Sequence, residues 1–522
     1  MFELITFHMS KANANALYDL IKSLSKAEKR HFRLYAKRNF SEKDVKFLVL
    51  FDHLDKSHKY NSDKIRILFP KTSQSALSNL KAHLYEQLLN SLRLLHRNDV
   101  SVKVYELLSF ANVLYSKGLY FQSLEQLRKA RQFSEDIEDD LAIHAVIEME
   151  RRIELFYVTD SGEDRAKSIV DTNELIRKQL EIRDHWSNVA LLLYDYYLKY
   201  GHVKNERQFT KVEEFFISRT NDLDDTNISL QGMVYKQMAF TWYYFITQNF
   251  VKCYRHASDW LSLLRSNELL MNKEPILYLK GMHNAMSALF YSNKPRQFES
   301  VYKDFQEFIS QRKSKFDYNT TLLSDIYNYV GELNYRFLNG KFRGNDEFVA
   351  ELTQWLSCNE SFLDQNREQV FQYKIACLYF GADDFKKCIF HLNRIIHSEV
   401  KEKYLKQDVQ CFARILNLVA HYEIGNDDLV EYQLKSTYRF LMKYGDLQEV
   451  QRLIIDFIRK SINMNRNEMS DPFTELRDSL QVIFNNPYEQ RPLLYLDLIS
   501  WLTSRIEGVP VEEVIRKRQL KR

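Results

Sequence analysis

The feature that most constrains this chain is a helical pattern that recurs along it. In residues 110–133, FANVLYSKGLYFQSLEQLRKARQF, two amphipathic helices meet at a tight turn around Ser116, Lys117, Gly118 and Leu119. Leu107, Ala111, Leu114 and Tyr115 share one face of the first helix, and Tyr120, Ser123, Leu127 and Ala130 share one face of the second. Apolar or small residues at i, i+3, i+4 and i+7 mark a helix with a buried side. Gly118 supplies the left-handed backbone that ends a helix without a Cβ penalty. Ala111 and Ser123 are small where the two helices must approach closely.

The turn recurs. Placing it at Gly118, Gly162, Gly201, Gln248, Asn293, Gly340, Gly381 and Gly425 gives spacings of 44, 39, 47, 45, 47, 41 and 44 residues. Six of the twelve glycines fall at these positions, so turn chemistry carries the period as well as apolar pattern. The best second copy is residues 374–396, KIACLYFGADDFKKCIFHLNRII, in which Ala376 answers Ala111, Phe385 answers Tyr120, Cys388 answers Ser123 and Leu392 answers Leu127. Phe250 and Cys253 make a third copy beside Gln248, whereas the units at Gly162, Gly201 and Asn293 rest mostly on spacing. A hairpin of this size cannot hide its apolar faces alone, so repetition implies stacking.

Composition agrees with helices joined by short connections. Only 12 Gly and 7 Pro stand in 522 residues, far fewer than the turns of an all-β chain would need. The 32 Tyr and 35 Phe are gap-fillers between helices. Five cysteines, Cys253, Cys358, Cys377, Cys388 and Cys411, fall in apolar patterns with no C-x-x-C pair. They read as reduced, buried thiols and not as zinc ligands or a disulfide framework.

The order small, aromatic, Gly, aromatic, small in Ala111, Tyr115, Gly118, Tyr120 and Ser123 resembles the tetratricopeptide repeat (TPR) superfamily over residues 100–465. The period departs from that family's usual unit of about 34 residues. Residues 421–443, HYEIGNDDLVEYQLKSTYRFLMK, also resemble a segment of bacterial TPR-like proteins to which no activity is assigned. The resemblance implies an all-α, right-handed α-solenoid of TPR-like hairpins. Its domains would be residues 1–98, a basic N-terminal helical domain; 99–465, an array of about eight units; and 466–522, C-terminal capping helices with a basic tail. It also implies that the first helix of each unit lines a concave groove. The groove-facing position falls on Asn112, Glu154, Asp195, Trp242, Ser287, Asn334, Cys377 and His421. An amide at such a position can grip a peptide backbone, Glu154 and Asp195 suit a basic ligand, and Trp242 supplies apolar area.

The net charge of +4 hides an asymmetry, because residues 1–98 carry 18 Lys and Arg against 9 Asp and Glu. A helix begins near Asn13, and a capping box at Ser25 and Glu28 starts a second one. On the second helix Lys26, Arg30, Arg33 and Lys37 form one basic stripe. A third helix follows Ser41, a short one ends at Pro70, and Thr72 or Ser73 caps a long helix with a stripe of Leu77, Leu80, Leu84, Leu88, Leu92 and Leu95. In outline this resembles a helix-turn-helix, in which a basic helix contacts phosphates beside a recognition helix. The alternative is a helical cap on the array with a solvated basic face. In domain order alone, the first alternative resembles bacterial peptide-pheromone receptors.

At the other end, residues 465–472 form a polar break, with Asp471 and Pro472 opening a helix that ends at Asn485, Asn486 and Pro487. Residues 493–506 form an apolar capping helix closed by Gly508, and Pro510 opens a last short helix before the basic tail, 516–522. That tail reads as a frayed solubilising end or as an anion-binding one.

Phosphate-binding glycine loops, H-E-x-x-H and G-x-S-x-G are all missing from the sequence. The expectation is a non-catalytic chain without cofactor or metal that binds a protein or peptide in the groove, with nucleic acid at residues 1–98 as the alternative. No apolar run approaches the ~20 residues of a membrane helix, and no signal peptide is evident whether Met1 or Met9 is the start. The expected location is the cytoplasm.

Overall fold

The computed structural model describes residues 16–39, 45–97, 99–156, 164–221, 224–398, 407–444, 449–462, 464, 469–483 and 497–520. Among these residues every regular element is a helix and there is no strand. None of the described helices is long and apolar enough to cross a membrane. The chain divides into two compact units, one running to Arg177 with Phe316–Asn319, the other comprising Lys178–Lys315 and the chain from Thr320 onward.

In the first unit, α1 (Ala16–Ser23), α2 (Lys26–Asn39), α3 (Val45–Lys56), α4 (Ser62–Leu68) and α5 (Gln74–Leu95) surround one core that includes Ile21, Phe32, Leu50, Phe51, Ile65, Leu84 and Leu88. The capping box forms as expected: Ser25 N donates to Glu28 Oε2 at 2.6 Å and Glu28 N to Ser25 Oγ at 3.2 Å. Ser73, rather than Thr72, caps α5 by accepting from Ala76 N at 3.2 Å. Then α6 (Val100–Ser116), α7 (Tyr120–Asp136) and α8 (Asp140–Phe156) pack in succession. The small pair does what the sequence asks of it: Ser123 Oγ donates to the Ala111 carbonyl at 2.8 Å, and both residues are fully buried.

A hairpin per turn predicts an interruption between positions 162 and 201. Instead α9 (Arg165–Tyr200) runs unbroken for 36 residues. No Gly or Pro lies in that span to end it. The turn expected at Gly162 lies outside the described residues.

From Lys178 on, α9 belongs to the second unit, followed by α10 (Glu206–Thr220), α11 (Leu230–Ile246), α12 (Phe250–Arg265), α13 (Glu268–Lys273), α14 (Pro275–Tyr291) and α15 (Pro295–Arg312). Next come α16 (Tyr318–Leu338), α17 (Asp346–Cys358), α18 (Gln365–Gly381), α19 (Phe385–Ile396), α20 (Gln407–Glu423), α21 (Asp427–Tyr444), α22 (Glu449–Ser461) and α23 (Ser470–Ile483). The helices Leu498–Glu507 and Val511–Leu520 close the described chain. Each helix packs on the next within pairs such as α11 with α12 and α18 with α19, and α12 and α19 also pack on the helix that follows.

The turns share one geometry. At Gly118, Gln248, Asn293, Gly340 and Gly425 the backbone is left-handed, with φ of 74°, 61°, 52°, 60° and 76°. In each, the turn N–H reaches the carbonyl three residues back, and the following N–H reaches the carbonyl five back. This pair of bonds satisfies carbonyls that a helix end would leave orphaned. At the non-glycine Gln248, Nε2 also donates to the Val203 carbonyl at 2.9 Å, which helps hold the conformation.

Gly201 is left-handed too, at φ 72°, but its N–H reaches the Tyr197 carbonyl four residues back. Gly381 departs further. The left-handed residue of its turn is Asp383, with φ of 62°, and Gly381 ends α18 with a helical backbone. A Cβ there would lie 2.4 Å from Cδ1 of Phe342, so this glycine serves close packing and not the turn.

The C-terminal helix pair also differs from a frayed end. Gly508 closes its helix at φ 66° as expected. Beyond it Val511 and Ile515 are buried, and Arg518 Nη2 pairs with Asp497 Oδ2 at 2.6 Å, so the basic segment through Leu520 is a docked helix. Residues 465–468, 484–496 and 521–522, which carry part of the expected break, helix end and tail, lie outside the described residues.

Candidate functional site

One cavity of about 410 Å³ opens inside the second unit. Six helices line it: α9 with Tyr194 and Tyr197, α11 with Trp242 and Phe245, α14 with Lys280, Ser287 and Phe290, α16 with Tyr327 and Asn334, α18 with Arg367, Phe371 and Lys374, and α20 with Val409. From α11 onward these are the first helices of successive pairs. Their partners α12, α15, α17 and α19 do not reach it.

The register explains this. In α12, α15 and α19 a single face is buried, as in Phe298, Tyr302, Phe305 and Phe308 of α15. In α18 nearly every residue from Phe371 to Gly381 is buried, because that helix is covered on several sides. A helix apolar around its whole circumference belongs inside the fold.

The wall is aromatic. The Trp242 ring centre lies 4.9 Å from that of Tyr194, 5.4 Å from Tyr197 and 5.8 Å from Phe245. His283 stacks on Tyr327 at 4.1 Å. Burial raises the Tyr327 hydroxyl far above the ordinary range, so it stays protonated.

Set into this wall are three cations. Lys374 Nζ donates to Asn334 Oδ1 at 2.6 Å and stands 5.1 Å from the Phe290 ring centre and 5.5 Å from that of Phe337. Its side chain is largely withdrawn from water, and desolvation brings it down to about 8. Lys280 Nζ lies 5.6 Å from the Tyr194 ring centre. Burial lowers it first, and the positive charge of Arg367 lowers it further. Arg367 pairs with Asp364, the cap of α18, with Nε and Oδ2 3.3 Å apart. Asp364 is the one carboxylate among the described lining residues, and neither lysine forms an ion pair with a described residue. The cavity is therefore positive and largely apolar.

The groove positions read from sequence divide in two. Trp242, Ser287 and Asn334 meet at this cavity, and Asn334 is buried with its oxygen turned to Lys374. The others do not line it. Asn112 is exposed on α6 in the first unit. Glu154, on α8, is held by Arg165 at 2.6 Å, and Asp195, on α9, by Lys199 at 2.7 Å, so the two acids expected to attract a basic ligand are neutralised by neighbours. Cys377 is buried, with its thiol pushed up to about 12 by desolvation. His421 is buried on α20 against the Asn426 amide at 3.2 Å, and burial lowers it.

Sequence reading missed Lys280, Arg367 and Lys374. They lie 7 residues before position 287, and 10 and 3 before position 377, which are same-face offsets of the helices already singled out.

On the N-terminal stripe, Lys26, Arg30 and Lys37 are exposed and make no ion pair with a described residue. Arg33 is committed: its Nη2 lies 2.8 Å from Asp52 and 2.9 Å from Asp55, and its guanidinium covers the Phe51 ring at 5.0 Å.

Compared with known families, curated proteins and solved structures, the chain matches none.

Proposed function

We propose that this chain is a non-catalytic binding scaffold, a TPR-like solenoid whose second unit holds a peptide or protein segment against the first helices of its pairs. The observation that carries the reading is the convergence of Trp242, Ser287 and Asn334, three of the positions that the TPR resemblance assigns to the groove, on a single cavity. The recurrent turn geometry from Gly118 to Gly425 supports the repeat itself. Amide and aromatic groups around a preformed hollow suit recognition of a segment by shape and hydrogen bonding. Selection from a displayed random-peptide library on the full chain tests it. Enriched peptides should lose affinity for Trp242→Ala and Asn334→Ala; peptides that bind both variants as well as the parent sink the assignment.

A second reading places nucleic acid on the first unit. Its specific support is that Lys26, Arg30 and Lys37 stand exposed without carboxylate partners among the described residues. Phosphate contacts make affinity fall steeply with salt. A gel shift with the full chain and a Lys26→Gln/Arg30→Gln/Lys37→Gln variant decides it: binding that is absent at low salt, or unaffected by the triple change, removes the idea.

A further inference from the structure

We propose that the cavity in the second unit is an anion site that takes an organic acid, an acidic group joined to an aromatic or apolar body. The inference rests on reading that cavity as a binding site and names the chemistry of its occupant.

Three observations converge. Lys280 and Lys374 come from helices nearly a hundred residues apart in sequence, yet both line one hollow, their Nζ atoms beside the lining residues Tyr194 and Asn334, with Arg367 between them in chain order on α18. Positive charge withdrawn from water needs a counter-charge, and folded proteins normally supply a carboxylate. Here the described lining residues hold a single one, Asp364, already engaged by Arg367. Lys374 instead has a neutral amide oxygen at 2.6 Å and two ring faces. An acidic group entering the hollow would complete what the protein leaves open.

The body of the ligand follows from the walls. Tyr194, Trp242, Phe290 and Phe371 offer apolar area around the cations. A volume of about 410 Å³ lies within the range of small-molecule pockets and also admits a few side chains of a peptide. A simple inorganic anion would satisfy the charges and leave this area uncovered. A basic or neutral ligand would leave the lysines as they are.

Two fluorescent probes of similar shape separate charge from greasiness: anilinonaphthalene sulfonate, an aromatic anion, and phenylnaphthylamine, its neutral relative. The full chain should bind the sulfonate more tightly. Lys280→Met/Lys374→Met should weaken the sulfonate by about tenfold or more, equivalent to ~1.4 kcal/mol, while changing phenylnaphthylamine by less than about twofold. Lys374→Arg, which keeps the charge, should retain sulfonate binding, and Lys280→Gln gives an independent reading should the double variant fold poorly. Sulfonate binding indifferent to the lysines overturns the anion inference and leaves the cavity as a binding site. Failure of both probes to bind, or binding of both unaltered by Trp242→Ala, overturns the cavity reading itself. Competition at millimolar concentration separates the sources. Displacement by phenylacetate alone assigns a free acid, and displacement by the blocked peptide acetyl-Phe-Glu-Phe-Glu-amide assigns an acidic segment. Displacement by neither overturns the proposal.

Discussion

Lys374→Met should change sign in its effect on stability as pH rises. In the folded chain burial brings the Lys374 ammonium from 10.5 down to about 8. A drop of that size penalises the charged form by about 3 kcal/mol at neutral pH, an upper figure because the side chain keeps some solvent contact. Methionine of similar length removes that penalty. It also leaves Asn334 Oδ1, in a residue only 4% exposed, without its donor, at a cost of about 1–2 kcal/mol. The net expectation at pH 7 is a gain of about 1–2 kcal/mol, or roughly 2 °C in melting temperature for a unit of this size. Between about 8 and 10.5 the unfolded chain holds the Lys374 proton and the folded chain has released it. Parent stability contributed by this group therefore rises with pH through that window, and below it the penalty is fully present. At pH 10 about 0.8 kcal/mol of the penalty remains, so the variant should melt about 1 °C below the parent. Differential scanning calorimetry of parent and variant, after exhaustive dialysis to strip anions, measures the difference at each pH, and titrations common to both proteins cancel. A variant less stable than the parent by the same amount from pH 7 to pH 10 refutes the uncompensated charge. Adding a tight organic anion should raise the melting temperature of the parent more than that of the variant.

Gly381→Ala should destabilise by about 2 kcal/mol or more through overpacking, because the added carbon would meet the buried Phe342 ring at 2.4 Å; Gly344→Ala, at φ 70° with nothing within 4 Å, should cost only ~1 kcal/mol of backbone strain, and thermal melts compare them. His391, buried against the Gln372 amide oxygen at 2.8 Å, is lowered by desolvation to about 4. It remains neutral in the fold, so its contribution is complete above the unfolded value near 6.5 and is lost as pH falls toward 4; His391→Gln should flatten the melting temperature over that acid range. Arg505 joins Glu423 at 2.8 Å and Asp383 at 2.7 Å, while Trp501 Nε1 donates to the same Glu423 oxygen at 2.6 Å. Arg505→Met should cost about 2–3 kcal/mol, since it strands a nearly buried carboxylate, and hydrogen exchange should speed up in Leu498–Glu507 first.

What was legible in the sequence follows from how local each signal is. A helix end is written in a few consecutive residues, so Gly118, Gly340 and Gly425 could be placed by inspection, Gln248 by the Phe250 and Cys253 beside it, and Asn293 by spacing; all five adopt the same left-handed turn. Gly381 misled because glycine has two physical uses. The ring of Phe342, far away in the chain, needed the space of its missing Cβ, and the turn passed to Asp383. The continuous α9 was hidden for the opposite reason: the period demanded a break where the residues themselves offered none. Register along helices brought Trp242, Ser287 and Asn334 to one place, since a same-face position survives whatever the tertiary detail. The charge of the cavity had no such local trace. Read one at a time, Lys280 and Lys374 look like the solvated cations of any amphipathic helix, and Glu154 and Asp195 look like free acids. Their roles are exchanged by partners: Arg165 and Lys199 neutralise the acids, and Arg33 is taken from the basic stripe by Asp52 and Asp55. No described residue answers the two lysines with a counter-charge. A missing counter-charge belongs to no single segment. It arises only where six helices meet and their described residues bring no second carboxylate to the hollow they line, and for that reason the sign of the site had to come from the fold.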